Sequence, residues 1–187
     1  MRVLMKITGL IVRGTWREVA DAARTTVGME KGEGEPSSAW KRKMLLAEHS
    51  PIRQLGVKWK WSGLKYWVSV HFVRHKVGIE HFVRTQRTDR TGKDRDQVAQ
   101  SACVDHECLA NAQAIINISR KRLCRQASPE TRTAWRALLE ALAVPEPELT
   151  SVCVPECVYR GFCPEMKCCG YCQTDDYRAA VVRYRGE

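Results

Sequence analysis

Residues 71–90, HFVRHKVGIEHFVRTQRTDR, hold His71, Arg74, His75, Lys76, His81, Arg84, Arg87 and Arg90, interleaved with Phe72, Val73, Val77, Ile79, Phe82 and Val83. So many apolar residues do not belong in a solvated basic tail, and so many cations do not belong in a core strand. The mixture suits the wall of a site for an anionic ligand, where Arg forks grip phosphate or carboxylate and apolar neighbours anchor the backbone. The plainer alternative is an amphipathic element with a solvated basic face. A second reactive set lies in CVPECVYRGFCPEMKCCGYC, where Cys153, Cys157, Cys163, Cys168, Cys169 and Cys172 fall within twenty residues. Four thiolates bind zinc tetrahedrally, and pairs on tight Pro/Gly turns can supply them. The favoured set is Cys157, Cys163, Cys169 and one of Cys153, Cys124 or Cys172. An iron–sulfur cluster is a second use of the same residues, and disulfides or free thiols the plain alternative. Cys103, His106 and Cys108 form a weaker second set.

The chain has 187 residues, 44% hydrophobic and 28% charged, enough for one domain with a core plus a small appendage. No apolar run approaches the roughly 20 residues of a membrane helix. MRVLMKITGLIV alternates and reads as a strand rather than a signal peptide, so a cytoplasmic location is expected. In that compartment nine clustered cysteines favour metal over disulfides. The net charge of +10 points to an anionic partner: nucleotide, nucleic acid or another phosphate carrier.

These groups must be positioned by the elements around them. Residues 2–13 read as a strand. Thr15 and Glu18 form a capping-box pattern before a helix, and 28–38 is a Gly/Glu/Pro loop. Ser37 or Ser38 caps a second helix that ends near Pro51. Leu55, Val57, Trp59 and Trp61 alternate with Lys58 and Lys60, a half-buried strand. The spacing predicts a helix over 64–76, a strand over 79–87 and a charged loop over 88–97. It also predicts a long helix over 106–124 capped by Asp105, and a helix begun by Ser128 and Pro129. The order indicates an α+β domain over residues 1–147, followed by a cysteine-rich tail over 148–187.

Three separated stretches resemble the flavin-dependent thymidylate synthases. That family's signature opens RHR and continues x-x-S-x-N-x-x-S-x-R-Y; Arg74, His75 and Lys76 fill its first three places. Upstream, the family has a histidine in an H-x-[ST]-P-type segment, and AEHSPIR supplies His49, Ser50 and Pro51. The third match aligns NAQAIINISRKR and ASPETR with the family's later helix, giving Asn111, Asn117, Arg122, Ala127, Glu130 and Arg132 in register. The signature's serine places hold Ile79 and Arg84, its asparagine place His81, and its final pair Gln86 and Arg87. With a one-residue insertion, Thr85 and Arg87 fall near the serine and arginine places.

The resemblance implies a flavin-dependent thymidylate synthase-like α+β domain; the family pattern has no cysteine-rich tail, so the small metal-binding tail rests on its cysteines alone. The resemblance implies methylation at C5 of a deoxyuridine nucleotide such as dUMP, with FAD, NADPH and methylenetetrahydrofolate. His49, Arg74, His75, Lys76, Asn111 and Asn117 are its flavin contacts. Arg84, Thr85, Arg87, Arg122 and Arg132 are its nucleotide contacts, and Arg74, His75 and Arg122 stand at the reacting centre. Zinc would sit on Cys124, Cys153, Cys157, Cys163 and Cys169. The resemblance also implies a homotetramer with shared sites, which would accommodate Asn117 pointing about a third of a turn from Asn111. Such an enzyme needs little acid–base machinery, since the cofactors carry the chemistry. The rivals are a zinc-stabilised nucleic-acid-binding protein, with some of the six tryptophans as stacking platforms, and an inactive nucleotide-binding relative.

Overall fold

The computed structural model describes residues 4–186. The strand expected over 2–13 is β1 (Lys6–Arg13); Arg2 and Val3 lie outside the described residues. Helix α1 (Trp16–Thr25) begins at a complete capping box: Glu18 N–H donates to Thr15 Oγ1, and Thr15 N–H donates to Glu18 Oε2 at 2.6 Å. Helix α2 (Ser38–Leu46) is capped by Ser37. A 3₁₀ turn over Ser50–Gln54 leads into β2 (Gly56–Lys65). The alternation of β2 is read out as written, with Leu55, Val57, Trp59 and Trp61 fully buried.

The two central predictions for the middle of the chain need correction. The helix expected over 64–76 is α3 (Tyr66–Phe72), because Leu64 and Lys65 still pair in the sheet as the end of β2. Arg74, His75 and Lys76 therefore sit on a turn after the helix, not in its last turn. The helix expected over 106–124 with an Asp105 cap is two elements. Strand β4 (Cys103–Asn111) runs first, and α5 (Ala112–Arg122) follows with Asn111 as its N-cap. The short β3 (Ile79–Val83) ends four residues before the expected limit. The charged loop over 88–97 contains one turn of helix, α4 (Thr88–Thr91), and a 3₁₀ turn. Helix α6 (Pro129–Leu142) starts on Ser128 and Pro129 as expected.

The four strands form one antiparallel sheet in the order β1-β2-β4-β3. Its inner face carries an aromatic cluster. Trp61 stacks on Phe72 at 4.4 Å and meets Trp59 edge-on at 5.3 Å; Trp135 of α6 closes over both. Their polar edges are mostly satisfied: Trp61 Nε1 donates to Ala134 O, and Trp135 Nε1 to Ser119 Oγ on α5. This cluster sets α3, α5 and α6 on one side of the sheet, which places the 73–78 turn beside α5. The tail forms α7 (Pro147–Ser151), α8 (Glu156–Arg160) and α9 (Asp175–Arg185). Its Leu149, Val152, Val158, Tyr177 and Tyr184 join the same core. Among the described residues, no helix is long and apolar enough to cross a membrane.

Candidate functional site

The turn between α3 and β3 is pinned along the length of α5. At one end, Arg122 Nε donates to His75 Nε2 at 2.8 Å, and Arg122 Nη2 donates to His71 O at 2.6 Å. At the other, Asn111 N–H donates to Gly78 O at 2.9 Å. Gly78 has φ +73°, and a Cβ there would lie 2.7 Å from the Asn111 amide, so the turn and the cap are in close contact. Asn111 Oδ1 accepts from Ala114 N–H, which closes the first turn of α5.

Burial, with the nearby Arg122 and His81, lowers the pKa of His75 to about 4. Its ring is therefore neutral near pH 7. Because Nε2 accepts from Arg122, the proton is on Nδ1. Burial likewise depresses Arg122 itself, reinforced by the charge of Arg74. Arg74 and Lys76 are exposed on the same turn. Among the described residues, neither has a hydrogen-bond or ion-pair partner, so both cations are available to an anionic ligand.

Beneath the turn lies a group that reading the chain as a helix had hidden. His81 Nε2 donates to His75 O at 2.8 Å, leaving Nδ1 as the bare nitrogen. Cys108 Sγ lies 3.3 Å from that nitrogen and His106 Nε2 3.0 Å from it. Across the β3–β4 pair, His81 faces Cys108 and Val83 faces His106. His106 is fully buried, and burial lowers its pKa to about 4; a proton on the neighbouring His81 would lower it further. With His106 Nε2 donating, its Nδ1 is a buried acceptor without a partner. Burial also raises the Cys108 thiol, and Glu107 adds to this, so Cys108 is a neutral packing residue rather than a nucleophile. His81 Nδ1, His106 Nε2 and Cys108 Sγ all lie within 4.8 Å of one another, the one metal-capable group this tight among the described residues. The signal for it is the period-two series Val104, His106, Cys108, Ala110, all turned inward.

The structure divides the other expected residues. His49 is exposed at the start of the 3₁₀ turn, next to Glu48, whose carboxylate takes Arg120 and Gln113. Asn117 joins this network by accepting from Arg120 Nη1 and Gln113 Nε2. Asn117 thus lies on a face of α5 away from Arg122, and His49 follows the Glu48 that this face binds. Arg84 and Thr85 line a cavity of about 360 Å³ with Arg90, Lys93 and Cys103. Arg87 is taken instead by Asp89, through two hydrogen bonds of 2.8 and 2.9 Å. Arg132 donates to the Arg125 carbonyl, so the structure does not bring it to the cavity.

Of the cysteines, Cys124, Cys157, Cys163, Cys169 and Cys172 surround one small cavity. Cys153 does not. It is buried, with its thiol turned back on Leu149 O at 3.3 Å in the last turn of α7. Four of the six tryptophans are closed off as stacking platforms. Trp16, Trp59, Trp61 and Trp135 are buried in the core, and Trp40 and Trp67 are half-buried.

No family model matches the chain, and no curated relative matches it. Solved structures do. Thymidylate Synthase X (ThyX) from Helicobacter pylori, solved with FAD and dUMP, superposes with TM-score 0.65 at 13% identity, over 81% of this chain and 99% of that one. A second structure from the same organism, the flavin-dependent ThyX complexed with FAD and dUMP, gives 0.64 at 12% identity, over 80% of this chain and 99% of that one. A UMP/dUMP methylase, PolB from Streptomyces cacaoi, bound with 5-Br dUMP, gives 0.64 at 13% identity, over 86% and 97%. At such identities the likeness is one of architecture, and it covers nearly all of each neighbour: this chain has the fold of the flavin-dependent thymidylate synthases, in a divergent form.

Proposed function

We propose that the protein is a flavin-dependent enzyme that adds a one-carbon unit at C5 of a deoxyuridine nucleotide. FAD would be the resident cofactor, NADPH the reductant and methylenetetrahydrofolate the carbon donor. The observation that carries this is the Arg122–His75 contact in a chain of this fold. It joins the Arg74–Lys76 turn to the end of α5, two segments that resemble the family motifs and lie 47 positions apart.

The residues fit an anionic, planar cofactor. Arg74 and Lys76 present unpaired cations on a turn braced from below by His81 and from the side by Arg122. Neutral His75 offers a hydrogen bond without adding charge, and Asn111 brings an amide to the same turn. Bound flavin would supply the hydride for the reaction. The chain's own residues would orient it, neutralise its phosphates and exclude water. Arg84 and Lys93 would take the nucleotide phosphate in the 360 Å³ cavity, with Thr85 as a hydroxyl partner. Arg87 and Arg132 drop out of that set because each has a partner elsewhere.

Asn117 lies on a different face of α5 from Asn111 and Arg122, and His49 is next in the chain to Glu48, which binds that face. One chain therefore offers two part-sites, and the reading requires a second copy to complete each; a homotetramer satisfies this.

The test is to purify the full chain, release any bound small molecule and identify it. FAD on the wild type, lost or weakened about 10-fold or more in Arg74→Ala, is the expected result. The wild type would then be given dUMP, NADPH and methylenetetrahydrofolate, and the nucleotide weighed for an added methyl group. A colourless protein that takes up no FAD on reconstitution would sink the proposal. Uptake of dUMP without FAD would instead identify an inactive nucleotide-binding relative.

A further inference from the structure

The cysteine-rich segment is built unlike the rest of the molecule. Between Gly161 and Gly170 there is no helix or strand, and Phe162 and Met166 point into solvent at 58% and 108% exposure. An irregular loop that keeps its apolar residues outside buries too little surface to hold one shape on its own. Its cysteines are set differently: Cys163 and Cys172 are half-buried, while Cys168 and Cys169 are exposed, Cys169 at the rim of a small cavity. Cys163, Cys169 and Cys172 from this segment meet Cys157 of α8 and Cys124 of the body around a cavity of about 10 Å³. That is room for about one water-sized particle.

Cys124 brings a thiol of the body, and Cys157 one of α8, to the same cavity wall as Cys163 and Cys169 of the loop. The sulfurs of Cys168 and Cys172 lie 3.2 Å apart, and Gly170 N–H donates to Cys168 Sγ. Body contacts hold the loop in register: Gln126 Nε2 donates to Lys167 O at 2.6 Å, and the Arg125 guanidinium lies over Tyr171 at 4.4 Å.

We propose that Cys124, Cys157, Cys163 and Cys169 hold a thiolate-bound metal centre that fastens the tail to the end of α5. Each ligand gives up its thiol proton on binding, so loading releases protons to solvent. Two centres share this chemistry. A single zinc has ~2.3 Å bonds and needs its four sulfurs ~3.8 Å apart. Among the described residues no three thiols lie within 4.8 Å of one another, as the His81–His106–Cys108 ligand atoms do, so zinc would draw the loop inward. An iron–sulfur cluster also takes four cysteine sulfurs, but its larger inorganic core would have to push the loop outward from a cavity of about 10 Å³.

The centre has a consequence for the candidate site. Cys124 follows Arg122 by two residues, at the C-terminal end of the helix that carries the Arg122–His75 contact. A metal there fixes the point from which Arg122 reaches the turn. The inference does not depend on the flavin reading, and its readouts are separate from it.

The experiment is elemental analysis with acid-labile sulfide on full-length protein purified anaerobically, in the wild type and in Cys157→Ser, Cys163→Ser, Cys108→Ser and Cys103→Ser. About one zinc per chain identifies the mononuclear form; about four iron with matching sulfide and a brown colour identifies the cluster. Either metal should fall at least 10-fold in Cys157→Ser and Cys163→Ser and stay in the other two variants. If the serine variants do not fold, a mercurial thiol reagent titrated into the wild type should release the metal in step with four modified thiols. Metal-free protein, disulfides in the segment, or full loading in Cys157→Ser overturns the proposal. Metal lost only in Cys108→Ser also overturns it and moves the ion to the histidine group. Metal found on protein that binds no FAD leaves the centre standing and removes only the enzyme reading.

Discussion

Arg122 Nε stands 2.8 Å from His75 Nε2, and the same guanidinium donates to the carbonyl of His71. One side chain from the end of α5 thus fixes both the ring and the backbone of the cationic turn. Lysine carries the charge but not the fork, and its single ammonium cannot satisfy both acceptors in this geometry. Arg122→Lys is expected to keep the fold, lower the thermal midpoint by a few degrees, and weaken FAD binding by about 10-fold or more. Flavin fluorescence titration beside circular dichroism measures both. Unchanged affinity in a folded variant would mean that Arg122 plays no part in shaping a flavin site.

His75 and His106 are both buried and neutral, each with its pKa lowered to about 4 from the ordinary 6.5. Burial is the larger cause in both; Arg122 and His81 add to it at His75, and His81 at His106. In the unfolded chain both rings titrate near 6.5. Between about pH 6.5 and 4 the unfolded state therefore binds more protons, and stability falls as pH drops through that window, levelling below it. A lowered value of this size corresponds to about 3 kcal/mol for the fully buried His106 and to less for the more exposed His75. Thermal melts across the range should show this slope, and His106→Gln should flatten it. A wild-type midpoint that does not move between pH 6.5 and 4.5 contradicts the assignment.

Gly78 turns the chain at φ +73° directly against the Asn111 side chain. Alanine there meets two obstacles: the left-handed backbone costs ~1–2 kcal/mol, and its Cβ falls 2.7 Å from an amide already held by the cap. Gly78→Ala should lose about 1–3 kcal/mol in urea unfolding. Gly92→Ala provides the contrast, since it has a similar φ of +68° and open space around it. A loss at Gly78 no larger than at Gly92 would show that the contact with Asn111 is slack.

What could be seen in the sequence follows local signals with one strong reading. The Thr15/Glu18 box, the Trp59/Trp61 alternation and the Ser128–Pro129 start each reappear where expected. Strand β4 did not, because Glu107, Leu109 and Ala110 favour helix, and its inward positions are His106, Cys108 and Ala110 rather than β-branched residues. Its place between β2 and β3 overrides that preference. Losing the strand also lost the histidine group, which exists only when β3 and β4 lie side by side. Arg84 and Arg87 look alike in a list of cations. Only Arg87 has an acid two residues on, and that acid takes it.

Asn111 carries two roles that one substitution confounds and two separate. Its Oδ1 caps α5, and its amide nitrogen is left over for the turn and any ligand there. Asn111→Ala removes both and should cost about 1 kcal/mol of stability through the cap alone. Serine caps nearly as well as asparagine but has no amide. Asn111→Ser is therefore expected to unfold within about 0.5 kcal/mol of the wild type while binding FAD at least several-fold more weakly. Chemical denaturation and flavin titration on the same two variants decide it. If serine restores both stability and FAD affinity, Asn111 acts by capping alone, and the cofactor touches the turn through Arg74, His75 and Lys76 without it.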